Sequence, residues 1–231
     1  MAYSHANNER AWGGALDEGV ALMNNTIAIV DYGAGNLHSI CKALQKVCVD
    51  NGSDLRPEIT ADRHDIEAAR AVILPGVGAA GPTMLRLREI GVVDMLRETA
   101  HQKPFLGVCL GMQLLYDWHE EGEVQCLGVL RGSVRSFDDS LKVPHMGWNR
   151  LYTKPHAMFE GVQADAYFYF VHSYYVQPED DGVVTGVTEY GRTFAGALAQ
   201  DRLWATQFHP EKSGEDGLKL LSNFVSMVEA V

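Results

Sequence analysis

Three short apolar runs, each followed at once by a turn and then by helical periodicity, set the architecture of this chain. They are Thr26–Asp31, Ala71–Leu74 and Phe105–Val108. Runs this short with no polar alternation are buried on both faces, which is the signature of parallel strands covered by helices. After the first comes the turn Tyr32-Gly-Ala-Gly-Asn36, then a helix pattern with Leu37, Cys41, Leu44 and Cys48 on one face. A weaker strand, Leu55–Ile59, and a short helix, Asp62–Ala69, precede the second run. Helical patterns over Pro82–Ile90 and Val92–His101, split by Gly91, precede the third, and Leu110–Glu121 reads as the helix after it. The expectation is a doubly wound α/β fold with a mostly parallel sheet flanked by helices.

Beyond Gly122 the texture turns to β. Val129–Phe137, Tyr167–Val176, Val183–Tyr190, Phe194–Leu198 and Leu203–Phe208 read as strands. Gly214–Glu229 closes the pattern as a helix with Leu218, Leu221, Phe224, Val225 and Val228 inward. The C-terminal half is therefore β-rich.

The chain has 231 residues, enough for one sizeable core, and no repeat or linker divides it. We expect an N-terminal extension, poorly ordered, over residues 1–25 and a single domain over 26–231. Met23 is a possible second start. The formal net charge of −11, with no Lys/Arg cluster, argues against nucleic acid and anionic membrane surfaces as partners. Four cysteines do not make a disulfide framework, and their spacing does not match a zinc site. Neither a signal peptide nor a membrane-spanning run is legible, so a reducing, cytoplasmic setting is expected.

Three segments carry chemistry. In Gly107-Val-Cys109-Leu-Gly111, a strand runs straight into a helix with a cysteine at the junction and glycine two residues to either side. That is the pattern of a nucleophile elbow with Cys in place of Ser. The glycines relieve crowding at the turn, and the helix start above the sulfur favours thiolate. In Phe208-His209-Pro-Glu211, extended geometry would point His209 and Glu211 the same way. Glu211 could then hold one ring nitrogen while the other serves as base toward a nucleophile. Each segment also has a plainer reading, as a buried structural cysteine and as a surface ion pair. The third segment, Leu74-Pro75-Gly76-Val77-Gly78, follows a strand and could turn backbone N–H groups inward as an oxyanion hole, or be an ordinary turn.

Together these segments resemble the class I, triad-type glutamine amidotransferases. Asp31-Tyr-Gly-Ala-Gly-Asn-Leu37, Val143-Pro-His-Met-Gly-Trp-Asn149, Tyr169-Phe-Val-His-Ser173 and His209-Pro-Glu-Lys-Ser213 are similar to one branch, the glutaminase subunits of imidazole glycerol phosphate synthase. The similarity runs from about Thr26 onward. Other amidotransferases usually carry Pro-Gly-Gly where this chain has Pro-Gly-Val-Gly, and residues 1–25 depart from the family.

The resemblance implies that Cys109 attacks the carboxamide carbon of glutamine, His209 moves the protons and Glu211 orients His209. It implies oxyanion donors at the backbone N–H groups of Val77 and Leu110, with Gly76 and Gly78 shaping the turn. It places Gln113 against the substrate backbone, and His172, Ser173 and Tyr174 on the opposite wall. It also implies a separate (β/α)₈-barrel cyclase subunit, a heterodimer with an ammonia channel, and a docking face including Asn36, Met146, Trp148, Tyr169 and Lys212. The chain ends soon after the triad, so a fused acceptor domain is not expected. No cofactor or metal is expected either. His145 reads as a hydrogen-bonded structural histidine. The remaining alternatives are a glutaminase serving another acceptor, a cysteine hydrolase of similar fold, and a non-catalytic binding module.

Overall fold

The computed structural model describes residues 25–33, 35–138 and 140–231. The expected N-terminal extension, with Met23, lies outside the described residues apart from Asn25. In chain order the first elements are β1 (Thr26–Val30), α1 (Leu37–Asn51), β2 (Arg56–Thr60), α2 (Arg63–Ala68) and β3 (Ala71–Leu74). Then follow α3 (Ala80–Glu89), α4 (Val93–Gln102), β4 (Phe105–Val108), α5 (Leu110–Leu114), β5 (Trp118–His119) and β6 (Val124–Gln125). The β-rich half holds β7 (Gly132–Ser136), β8 (His145–Arg150), β9 (Tyr152–Thr153), β10 (Tyr167–His172) and β11 (Tyr174–Pro178). It continues with β12 (Val184–Glu189), β13 (Thr193–Gln200), β14 (Leu203–Thr206) and α6 (Gly214–Glu229).

The main sheet has eight strands in the order β2-β1-β3-β4-β14-β13-β12-β9. Its first five strands are mutually parallel and the last three join antiparallel. Strands β10 and β8 form a two-stranded sheet, and β11-β7-β5-β6 a four-stranded one. The doubly wound, mostly parallel α/β arrangement expected from the sequence is therefore present.

Both faces of the sheet are buried, and β1 explains how. Ile27 and Ile29 point into a layer with Leu37, Ile40 and Leu44 of α1 and Leu221, Phe224 and Val225 of α6. Ala28 and Val30 point the other way, into a layer with Ile66, Met84, Leu87 and Leu96 of the helices α2 to α4. The period of two along the strand splits a continuous apolar run between two cores. In α6 the inward positions include Leu220, while the expected Leu218 is half-buried.

Three expectations need correction. The helix read over Leu110–Glu121 stops at Leu114. The carbonyls that would continue it are taken by the returning chain: Leu127 N–H donates to Leu114, Gly128 to Tyr116, and Val129 and Leu130 both to Leu115. The run Tyr167–Val176 is two strands rather than one. It breaks at Ser173 and passes from β8 to β7, whose flanking Phe137 donates its N–H to the Ser173 carbonyl. Finally β5, β6, β8 and β9 have no counterpart among the expected strands, because they are short or half-exposed and lack an apolar run.

Candidate active site

Three adjacent strand ends deliver the chemistry. In register, Leu74 of β3 lies beside Gly107 of β4, and Val108 beside Thr206 of β14. The segments Pro75–Gly78, Cys109–Leu110 and Gln207–Glu211 thus leave one edge of one parallel sheet, where ligands of such folds gather.

Cys109 sits at φ +53° and ψ −109°, a left-handed backbone that costs a non-glycine residue on the order of 1–3 kcal/mol. Its N–H donates to the Thr206 carbonyl at 2.7 Å, and its carbonyl accepts from Met112 and Gln113. The glycine two residues on is enforced by close approach. A Cβ at Gly111 would stand 1.8 Å from the Leu74 carbonyl oxygen, and one at Gly76 would stand 2.5 Å from the Gly111 nitrogen. Gly76 and Gly111 let the Pro75 turn press against the elbow. The cysteine is 6% exposed, and its Sγ lies 3.8 Å from the Val171 carbonyl and 3.7 Å from Gln207 Nε2.

His209 is held from three sides. Its N–H donates to the Tyr169 carbonyl, its carbonyl accepts from Ser213 Oγ at 2.6 Å, and its Nδ1 stands 2.8 Å from Glu211 Oε1. The side chains of His209 and Glu211 are each 3% exposed. The pair forms across the 3₁₀ turn Pro210–Lys212 rather than along the extended segment the sequence suggested. Nε2 of His209 is buried and has no nitrogen or oxygen partner. Burial alone would lower the imidazole pKa. Cys109 and Glu211, by hydrogen bonding and by charge, outweigh it and push it up to about 10. The imidazolium form of His209 is therefore favoured.

A cavity of about 300 Å³ opens over these groups, lined by Val77, Gly78, Cys109, Leu110, Gln113, His172, Ser173, Tyr174 and His209, with Glu121, Pro144 and Val171. The structure brings together all of these sequence-derived residues. Gly76 stands just behind, in the turn. Gln113 is placed differently from what a simple substrate clamp requires. Its Nε2 donates to the Tyr174 carbonyl at 2.9 Å and to Gln207 Oε1 at 3.0 Å, so only Oε1 keeps a free lone pair.

His145 and His172 form a second buried pair. His172 Nδ1 lies 2.7 Å from the Tyr174 carbonyl, and its Nε2 lies 2.8 Å from His145 Nδ1. Asn149 Nδ2 closes the series at His145 Nε2. Burial holds both rings neutral, with pKa values lowered to about 4 for His145 and about 3 for His172.

The expected docking residues cluster outside the cavity. Met146 is 62% exposed and Trp148 56%. Trp148 is the cross-strand partner of Tyr169, their rings 6.1 Å apart, and the Lys212 ammonium lies 6.0 Å from the Tyr169 ring. Asn36, exposed at the start of α1, shares a small crevice with His209 and Glu211.

The glutamine amidotransferase class-I family profile matches residues 28–228. The chain belongs to this family. The imidazole glycerol phosphate synthase subunit HisH of Dechloromonas aromatica is 46% identical over 215 residues, covering 89% of this chain and 98% of the relative. HisH of Herpetosiphon aurantiacus is 48% identical over 203 residues, covering 87% and 94%. A solved glutamine amidotransferase superposes with a TM-score of 0.68 at 19% identity, covering 90% of this chain and all of that one, a likeness of fold.

In this amidotransferase, the sequence did not single out Gln207, whose amide lies beside the Cys109 sulfur, Glu121, which lines the cavity, His119, which meets Gln113, or Tyr32, which meets Pro75. Gln207 carried a usable signal, since it stands two residues before His209 in an extended segment and so shares its direction. His119 had none, because it falls in the part of Leu110–Glu121 beyond Leu114, where the helix read from the sequence does not continue. Among the described residues no helix is long and apolar enough to cross a membrane.

Proposed function

We propose that this chain is the glutaminase subunit of imidazole glycerol phosphate synthase. It hydrolyses glutamine to glutamate and ammonia and delivers the ammonia to a cyclase subunit in histidine biosynthesis. The observation that carries the reading is that Cys109 and His209 line one cavity of about 300 Å³, with Glu211 held at His209 Nδ1.

In the proposed reaction His209 takes the thiol proton, Glu211 steadies the imidazolium, and Sγ attacks the carboxamide carbon. The oxygen gathers negative charge against the N–H groups of Val77 and Leu110, donors worth about 3–4 kcal/mol each in the transition state. His209 returns its proton to the leaving nitrogen, ammonia departs, and a γ-glutamyl thioester remains. Water, deprotonated by His209, then releases glutamate and restores the thiol. His172, Ser173 and Tyr174 form the wall against the α-amino and α-carboxyl ends, and Gln113 Oε1 accepts from the α-amino group.

Free ammonia in water would be protonated and lost. A sheltered path to a separate (β/α)₈-barrel cyclase avoids this, with Asn36, Met146, Trp148, Tyr169 and Lys212 at the contact. The cyclase would combine ammonia with a phosphoribulosyl-formimino aminoimidazole carboxamide ribonucleotide. It would release imidazole glycerol phosphate and the aminoimidazole carboxamide ribotide.

Turnover is gated by the Val77 peptide. Burial raises the Tyr32 pKa well above the usual phenol range, and the Cys109 charge adds to it. The Tyr32 hydroxyl donates to the Pro75 carbonyl at 2.8 Å. That buried bond braces the turn that carries Val77, so turning the Val77 amide toward an oxyanion has to work against it, which supports activation by the liganded partner. The test is glutamate release by the purified chain, alone and with liganded cyclase, against Cys109→Ala. Partner-dependent release that vanishes in the variant is expected. Equal release with and without the partner would overturn the gate, and no release under either condition would overturn the function.

A further inference from the structure

The buried polar groups beside the sulfur form one hydrogen-bonded chain, and its direction can be derived. The Glu121 N–H donates to His119 Nδ1 at 3.0 Å. A ring nitrogen that accepts carries no proton, so the proton of neutral His119 sits on Nε2. Nε2 lies 3.0 Å from Gln113 Oε1 and donates to it. That orients the Gln113 amide, whose Nε2 donates to the Tyr174 carbonyl and to Gln207 Oε1. The Tyr174 carbonyl can only accept, so a second fixed group demands the same orientation. With Oε1 of Gln207 accepting, its Nε2 is left to donate to Cys109 Sγ, at 3.7 Å.

The chain is sealed and anchored. Gln113 is 4% exposed, and His119 and Gln207 are fully buried. Burial lowers the His119 pKa to about 4 against the opposing charge of Glu120, so the ring stays neutral. Its ring packs edge-to-face with the Tyr174 ring, their centroids 4.9 Å apart. The Glu121 carboxylate accepts from the Ala80 N–H at 2.9 Å, at the start of α3, which fixes the origin of the chain. His209 and Tyr32 are titratable groups whose own protonation responds to the Cys109 charge.

We propose that Gln207 is a dedicated hydrogen-bond donor to the Cys109 sulfur, held in that role by Gln113 and His119 as positioning residues. The inference deepens the glutaminase reading and rests on it for its catalytic meaning. A thiolate accepts a hydrogen bond more strongly than a thiol or a thioester sulfur. The donor therefore favours ionisation of Cys109 before attack, and it favours sulfur as the leaving group when water opens the thioester. Both effects act on kcat rather than on glutamine binding.

The test is the rate of iodoacetamide alkylation of Cys109 as a function of pH, located by peptide mapping, in the wild type, Gln207→Met and His119→Leu. Gln207→Met keeps the volume and removes the donor. It is expected to move the alkylation midpoint up by about one pH unit. His119→Leu is expected to move it the same way by less. In glutamate release kcat falls about tenfold in Gln207→Met while KM holds. Far-ultraviolet circular dichroism and the thermal midpoint report whether each variant folds. If Gln207→Met does not fold, His119→Leu carries the same readout with the Gln207 amide retained. An unshifted midpoint in a folded variant would overturn the proposal. Shifted alkylation without glutamate release by wild type and cyclase would uphold the donor and overturn the glutaminase reading. Glutamate release with unshifted alkylation would do the reverse.

Discussion

The Cys109 N–H donates to the Thr206 carbonyl at 2.7 Å, which ties the nucleophile's backbone to the residue that leads into Gln207 and His209. One ladder bond between parallel neighbours fixes the separation of two segments that lie far apart in sequence. The elbow's left-handed backbone is held in place by that bond, by the glycines around it and by the turn above.

Gly111→Ala is expected to be severe. Its Cβ would meet the Leu74 carbonyl oxygen at 1.8 Å, and that contact is backbone, which cannot swing away. The variant should lose about 3 kcal/mol or more of stability, together with its glutaminase activity. Urea denaturation monitored by fluorescence, alongside glutamate release, checks both.

Acid should destabilise the fold through its buried imidazoles. His119, His145 and His172 have folded pKa values lowered to about 4, 4 and 3, mainly by burial. The unfolded chain binds their protons from about pH 6.5 downward while the folded chain does not. Stability present above that pH is thus lost as pH falls, by at most about 4 kcal/mol per unit if all three titrate together, until protonation of the folded rings levels the loss. Denaturation midpoints between those limits, in wild type and in His145→Gln, check the slope, which the variant should reduce by about a third.

Tyr32→Phe should loosen the gate. It removes the hydroxyl that donates to the Pro75 carbonyl and so braces the turn that carries Val77. Glutamate release without partner is expected to rise by about fivefold, the worth of one hydrogen bond, while the activation by liganded cyclase shrinks. Steady-state assays with and without the partner measure both.

Trp148→Ala should weaken cyclase binding. Trp148 is an exposed aromatic backed by Tyr169 and Lys212, the composition of an interface anchor. A loss of about 2 kcal/mol, near thirtyfold in Kd by titration calorimetry, is expected, with the fold unchanged.

Much of the scaffold was legible because parallel strands buried on both faces leave uninterrupted apolar runs, as in Ala71–Leu74 and Phe105–Val108. The elbow was legible because Gly107 and Gly111 are demanded by contacts that a side chain would break. What escaped was set by long-range pairing. The helix after Cys109 stops at Leu114 because Leu127 to Leu130 return to take its carbonyls, and no local pattern announces that. His119 was therefore placed on a helix instead of in a strand behind Gln113. The aromatic run divides at Ser173 because β8 and β7 compete for it, and that competition is decided in three dimensions.

Strand β10 carries a further implication. The Tyr169 carbonyl receives the His209 N–H, and the Tyr169 N–H donates to Ser213 Oγ, which in turn binds the His209 carbonyl. The side chain of the same residue stands among Trp148 and Lys212 on the outer face. One residue thus belongs both to the proposed contact surface and to the support of His209. Over evolutionary time the two cannot drift independently: a change that reshapes the outer face to follow a changing partner is screened, in the same generation, by whether it leaves His209 in place.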